Sequence, residues 1–117
     1  MNRRALGARG EVLAGNWYTE HGYTVLDRNW RCRQGELDLV LERNGVVVFC
    51  EVKTRTSDAF GIGAEAVGRE KQLRLRRLAG EWLAAHDRHA RELRFDVVSI
   101  LAPRTGPPTL DVIEAAF

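Results

Sequence analysis

Cysteine is scarce: Cys32 and Cys50 are the only two in 117 residues. That is too few for a disulfide framework, so free thiols in a reducing cytoplasm are expected. Long apolar runs are missing as well. None approaches the ~20 residues of a membrane-spanning helix. Met1-Asn2-Arg3-Arg4-Ala5 leads into no apolar signal core, so neither a membrane setting nor export is expected. Lysine is almost absent too: of 18 basic residues only Lys53 and Lys71 are lysines, the rest arginines. Arginine grips phosphate bidentately, but such a bias also follows genomic base composition and alone points to no partner. There is no repeat, linker or low-complexity stretch. What remains, 44% hydrophobic and 29% charged with a net charge of +2, is ordinary for a soluble globular chain. Its length suits one domain over residues 1–117, a single sheet with covering helices.

The chain's centre is the stretch from Gly35 to Lys53. Asn44-Gly45 is the dipeptide that best tolerates the positive φ angles of a type I′ turn, so two strands are expected on either side of it. If those two residues are the whole turn, Arg43 faces Val46, Val40 faces Phe49, Asp38 faces Glu51 and Glu36 faces Lys53. With period 2 these pairs share one face. The other face, with Leu37, Leu39 and Leu41 beside Val48, Cys50 and Val52, is wholly apolar. Opposed carboxylates on adjacent strands repel, yet with Cβ atoms roughly 4.5–5.5 Å apart they are close enough to share one hard cation.

The flanking segments follow their periodicities. Residues 3–20 read as a helix with a stripe of Leu6, Leu13 and Trp17, ended by His21-Gly22. Glu11, one turn before Ala14, lies at the edge of its buried side. Residues 23–30 read as a first strand, 31–35 as a basic turn, and 54–68 as a long polar loop facing substrate. Residues 69–86 form a second helix with a stripe of Leu75, Leu78 and Trp82, widened by Ala79 and Leu83. Lys71, a turn upstream of Leu75, points toward the sheet, while Arg74 and Arg77 lie on a neighbouring exposed face. Residues 93–101 are an interior strand, 103–108 a turn, and 109–114 a short last strand.

Asp38 followed by Glu51-Val52-Lys53 resembles the bipartite acid and E-x-K signature of the PD-(D/E)XK nuclease superfamily. Gly35-Glu36-Leu37-Asp38 with Glu51-Val52-Lys53-Thr54-Arg55 is most similar to the small YraN-like bacterial family, which is grouped with archaeal Holliday junction resolvases. The likeness covers nearly the whole chain, including Gly10-Glu11, Arg94-Phe95-Asp96-Val97-Val98 and Ile113-Glu114-Ala115-Ala116-Phe117. It implies a restriction-endonuclease-like, three-layer α/β fold of order αβββαβ(β), with a mixed sheet flanked by helices. It also implies a Mg²⁺ or Mn²⁺ site made of Asp38, Glu51, the carbonyl of Val52, and Glu11, directly or through water. Lys53 then positions or deprotonates the attacking water, or neutralises transition-state charge. Glu36 pairs with Lys53 or extends the metal site. Leu37 departs from the proline that many superfamily members carry before the aspartate, which puts register and turn geometry there in question.

Phosphodiester hydrolysis needs an activated water and charge neutralisation, and an ion held by carboxylates supplies both. The expected activity is metal-dependent cleavage of structured or branched nucleic acid, DNA in the first instance. Arg55, Arg69, Lys71, Arg74 and Arg77 are the candidate phosphate track, and a resolvase acts as a homodimer. Plainer readings stand beside each of these. Glu11 and the arginine run are ordinarily solvated helix faces. Asp38, Glu51 and Lys53 can form a purely structural ion-pair cluster, making the chain an interaction protein. An intact site can also bind nucleic acid without turnover. His86 and His89, with no further histidine or cysteine nearby, read as exposed side chains rather than ligands.

Overall fold

Where the sequence alternates apolar and polar residues, strands form, and where apolar residues recur at 3–4 spacing, helices form. The computed structural model describes residues 2–56 and 67–117, and Gly61 and Gly63 of the expected polar loop lie outside them. The elements run α1 (Arg3–Glu20), β1 (Thr24–Cys32), β2 (Gly35–Arg43), β3 (Val46–Arg55), α2 (Arg69–Ala85), β4 (Glu92–Leu101) and β5 (Thr109–Ile113). This is the anticipated order. β1 runs two residues further than expected, which shortens the basic turn to Arg33-Gln34. Asn2 caps α1 by accepting the Ala5 N–H at 2.8 Å, satisfying one of the helix's unpaired first donors.

The strands lie in the order β1-β2-β3-β4-β5. β3 and β4 pair in parallel, and the other neighbours are antiparallel. α2 is the crossover that a parallel pair requires. The Asn44-Gly45 turn takes the expected left-handed backbone, with φ of 53° and 81°. It sets the pairing Arg43↔Val46, Val40↔Phe49 and Leu39↔Cys50.

The mixed sheet is flanked by α1 on one face and α2 on the other, three layers compatible with the restriction-endonuclease-like fold. Under α1 lie Leu39, Leu41, Val48, Cys50, Val98 and Ile100, with Ala14 and Tyr18 from the helix. Under α2 lie Val40, Val47, Phe49, Phe95 and Val97, with Leu75, Leu78 and Trp82. Each fully buried Leu or Val adds roughly 1.5–3 kcal/mol before ordering costs, so both helices are held by their apolar stripes. On the α1 face, the buried carboxylate of Asp96 accepts from Tyr18 Oη at 2.7 Å, Arg94 Nε at 2.9 Å and the Ala115 N–H at 3.0 Å. This network ties helix, sheet and C-terminal segment together. Among the described residues, no helix is long and apolar enough to cross a membrane.

One expectation about the sheet is overturned. Leu37 does not join Leu39 and Leu41 beneath α1; it packs with Val40 beneath α2. Two residues three apart on one face mean that the period of two is interrupted once between them. Asp38 sits near the interruption.

Candidate active site

The pairing of β2 with β3 ends at Leu39↔Cys50, although both strands run on beyond it. Asp38 and Glu51 are therefore not the directly opposed ladder pair that the turn implied. In place of a ladder bond, the Val52 N–H donates to the Asp38 carboxylate at 2.9 Å, and Glu51 lines the same cleft as Asp38. The two acids still converge, through a break in the register rather than through its continuation. The break falls directly after Leu37.

Around this break opens a cleft of about 390 Å³, lined by Glu36, Asp38, Glu51, Lys53, Lys71 and Arg74 among others. Glu36 does not pair with Lys53; its Oε2 accepts from Arg31 Nε at 2.6 Å, across the register pair Arg31↔Glu36 of β1 and β2. Lys71 reaches from the first turn of α2 to form an ion pair with Glu51, which is only 8% exposed. The fourth acid comes from α1. Gly10 is buried there, and a Cβ on it would stand 1.8 Å from Thr54 Oγ1. The missing side chain lets the helix close on β3 and brings Glu11 over the break.

One carboxylate oxygen from each of Glu11, Glu36 and Asp38 can be chosen so that all lie within 4.8 Å of one another. Their charges are costly together. Burial first, and then the Glu51 charge, push the Asp38 carboxyl up to about 8, against the pull of the Val52 N–H. Glu11 is raised as well, chiefly by burial and further by Glu36 and Glu51, with an Asn29 hydrogen bond opposing. A donor set made only of carboxylate oxygens fits a hard divalent cation such as Mg²⁺ or Mn²⁺.

Among the sequence candidates, the cleft unites Glu36, Asp38, Glu51, Val52, Lys53, Lys71 and Arg74, with Glu11 adjoining through the carboxylate trio. Arg77 lies outside it, on a neighbouring shallow surface beside Gln34 and Glu81. Arg69 is exposed at the start of α2. Arg55 ends β3 with its Nε buried and without a hydrogen-bond partner among the described residues. Asn29 and Arg31, which hold Glu11 and Glu36, escaped the sequence reading. The one available signal was an asparagine inside a strand pattern, at a position that takes a positive φ of 50°.

The fold and cleft thus define a three-layer α/β protein with a carboxylate cluster where two central strands part. The chain belongs to the uncharacterised protein family UPF0102, whose profile matches residues 10–100. It is 58% identical to a UPF0102 protein of Beutenbergia cavernae over 102 residues, covering 87% of this chain and 86% of that one. It is 50% identical to a UPF0102 protein of Frankia alni over 113 residues, covering 97% and 94%. A UPF0102 protein of Clavibacter michiganensis is 48% identical over 111 residues, covering 95% and 94%.

Proposed function

We propose that this chain is a divalent-metal-dependent nuclease of the PD-(D/E)XK kind, similar to archaeal Holliday junction resolvases, that hydrolyses phosphodiester bonds in structured or branched nucleic acid. The observation that carries the reading is the convergence of Glu11, Glu36 and Asp38 within 4.8 Å, beside Glu51 and Lys53 in one cleft. Bound there, Mg²⁺ or Mn²⁺ supplies Lewis-acid charge and a water of lowered pKa. Glu11, Glu36 and Asp38 hold it through carboxylate oxygens, and the Val52 N–H fixes one oxygen of Asp38. Lys71 forms an ion pair with Glu51 inside the cleft. Lys53 sets a positive charge beside the scissile phosphate, where preorganised charge acts most strongly in the transition state. Arg74 at the rim holds a neighbouring phosphate. Nucleic acid as substrate and two free thiols fit a cytoplasmic setting, and paired incision of a junction takes two copies of the chain.

The test is a cleavage panel of duplex, flap, four-way junction and single-stranded DNA and RNA with Mg²⁺ or Mn²⁺. Metal-dependent cutting that disappears in Asp38→Asn supports the reading; no cutting of any substrate overturns it. The Glu51–Lys71 ion pair favours a second reading, in which the cluster is structural and the chain an interaction protein. In that case Asp38→Asn leaves every binding property of the protein unchanged.

A further inference from the structure

A second groove, of about 620 Å³, opens between the N-terminal end of α1 and the segment joining β4 to β5. Arg3 and Arg9 line it from the helix, Arg104 from the connection beside Pro103, and Thr56 from the end of β3. No carboxylate lines it among the described residues, and there none of its arginines is in a salt bridge. The first turn of α1 also holds no acid; Arg3 and Arg4 stand there instead. Positive side chains at the positive end of a helix oppose its dipole, and an anion relieves them.

The charges are spread out rather than focused on one point. Arg3 and Arg9 are six residues apart, about 9 Å along the helix, which suits a line of phosphates better than one small anion. The groove also lies at the same end of the sheet as the cleft. Thr56 follows Lys53 by three residues, about 10 Å of extended chain. The close contact of Gly10 with Thr54 puts α1 between the two, with Glu11 on one flank and Arg9 on the other.

We infer that this groove seats backbone phosphates of the nucleic-acid strand whose neighbouring phosphate enters the cleft. The inference rests on the nuclease reading and adds to it a phosphate track on the α1 side of the sheet, across from Arg74.

The experiment measures binding of a fluorescein-labelled four-way junction and a 20-base-pair duplex by anisotropy between 50 and 300 mM NaCl, with EDTA to prevent cleavage. The variant is Arg3→Gln with Arg9→Gln and Arg104→Gln, and Asp38→Asn is run in parallel. The triple variant is expected to lose about tenfold or more in affinity at 100 mM salt. Its log–log salt slope should flatten by about two to three, close to 0.9 for each lost phosphate contact. Arg104→Glu alone, on an exposed connection, is expected to flatten the slope by about one and keeps the test valid should the triple variant misfold. If wild type and Asp38→Asn bind while the arginine variants bind with unchanged affinity and slope, the groove assignment is overturned and the nuclease reading stands. If wild type binds neither probe, both fall. Competition by poly-glutamate as strong as by DNA at equal charge makes the groove a seat for acidic protein segments and overturns the assignment too.

Discussion

Thr54 occupies the space in which a side chain at Gly10 would stand: a Cβ there lies 1.8 Å from Thr54 Oγ1 and 2.9 Å from Thr54 Cβ. α1 rests on β3 at this point, and the next helical residue is Glu11. Gly10→Ala is expected to destabilise the protein by about 1–2 kcal/mol, because overpacking exceeds the helix propensity that alanine adds. Thr54→Ala in the same chain removes Oγ1 but leaves the Cβ, and so recovers part of the loss. Thermal melts of the single and double variants check this. Additive losses in the double variant would show that the contact does not set the helix.

The raised Asp38 carboxyl makes stability depend on pH. Its ordinary value is 3.8 and its folded value about 8, so between them the folded state holds a proton that the unfolded chain has released. The metal-free protein therefore loses stability as pH rises from about 4 to about 8. Asp38→Asn removes that slope and is more stable than wild type at pH 8 by at least about 1.4 kcal/mol, the equivalent of one pKa unit. Urea unfolding with EDTA across this range measures it; parallel curves for the two proteins would contradict it.

Lys71 and Glu51 form an ion pair in which the acid is buried and the lysine side chain is 41% exposed. Lys71→Ala leaves Glu51 unpaired beside Asp38. The expected cost is about 1–3 kcal/mol, between the values for exposed and fully buried pairs. The same change frees Glu51 for a cation, so the gain in melting temperature on adding Mn²⁺ should be larger than in wild type. An equal or smaller gain would show that the freed Glu51 does not reach the cation.

Lys53 lines the cleft, whereas Arg77 lies outside it and Arg74 at its rim. Lys53→Ala is expected to abolish cleavage while leaving substrate affinity nearly unchanged, since its charge acts in the transition state. Arg74→Ala should weaken binding for all sequences and flatten the salt slope by about one, and Arg77→Ala should add less. Cleavage that survives Lys53→Ala at full rate would place the chemistry elsewhere.

Much of this was legible in the residues. The Asn44-Gly45 turn set the hairpin register correctly as far as Leu39↔Cys50, because turn geometry propagates along a ladder as long as the pleat is regular. The stripe of Leu75, Leu78 and Trp82 placed α2, and Lys71 with it, toward the sheet. Legibility ended where the pleat did. Counting by twos put Leu37 on the wrong face and made Glu36 a partner of Lys53, since nothing in the alternation announces the break at Asp38. The Leu37 departure marked the place but not the outcome. Asp96 was likewise read only as part of an apolar strand. Its burial depends on its strand neighbour Arg94 and on Tyr18 and Ala115, two partners from distant parts of the chain. The groove at Arg3, Arg9 and Arg104 has the same origin, a juxtaposition made by the packing of α1 rather than by spacing.

The central claim is that Glu11, Glu36 and Asp38 together hold a divalent ion. Isothermal titration of Mn²⁺ into the metal-free protein tests it most directly, with Glu11→Gln, Glu36→Gln and Asp38→Asn alongside. The account predicts binding at about one ion per chain, lost in Asp38→Asn and weakened at least about tenfold in each glutamine variant. No binding at millimolar Mn²⁺, or binding that survives all three substitutions unchanged, would contradict it.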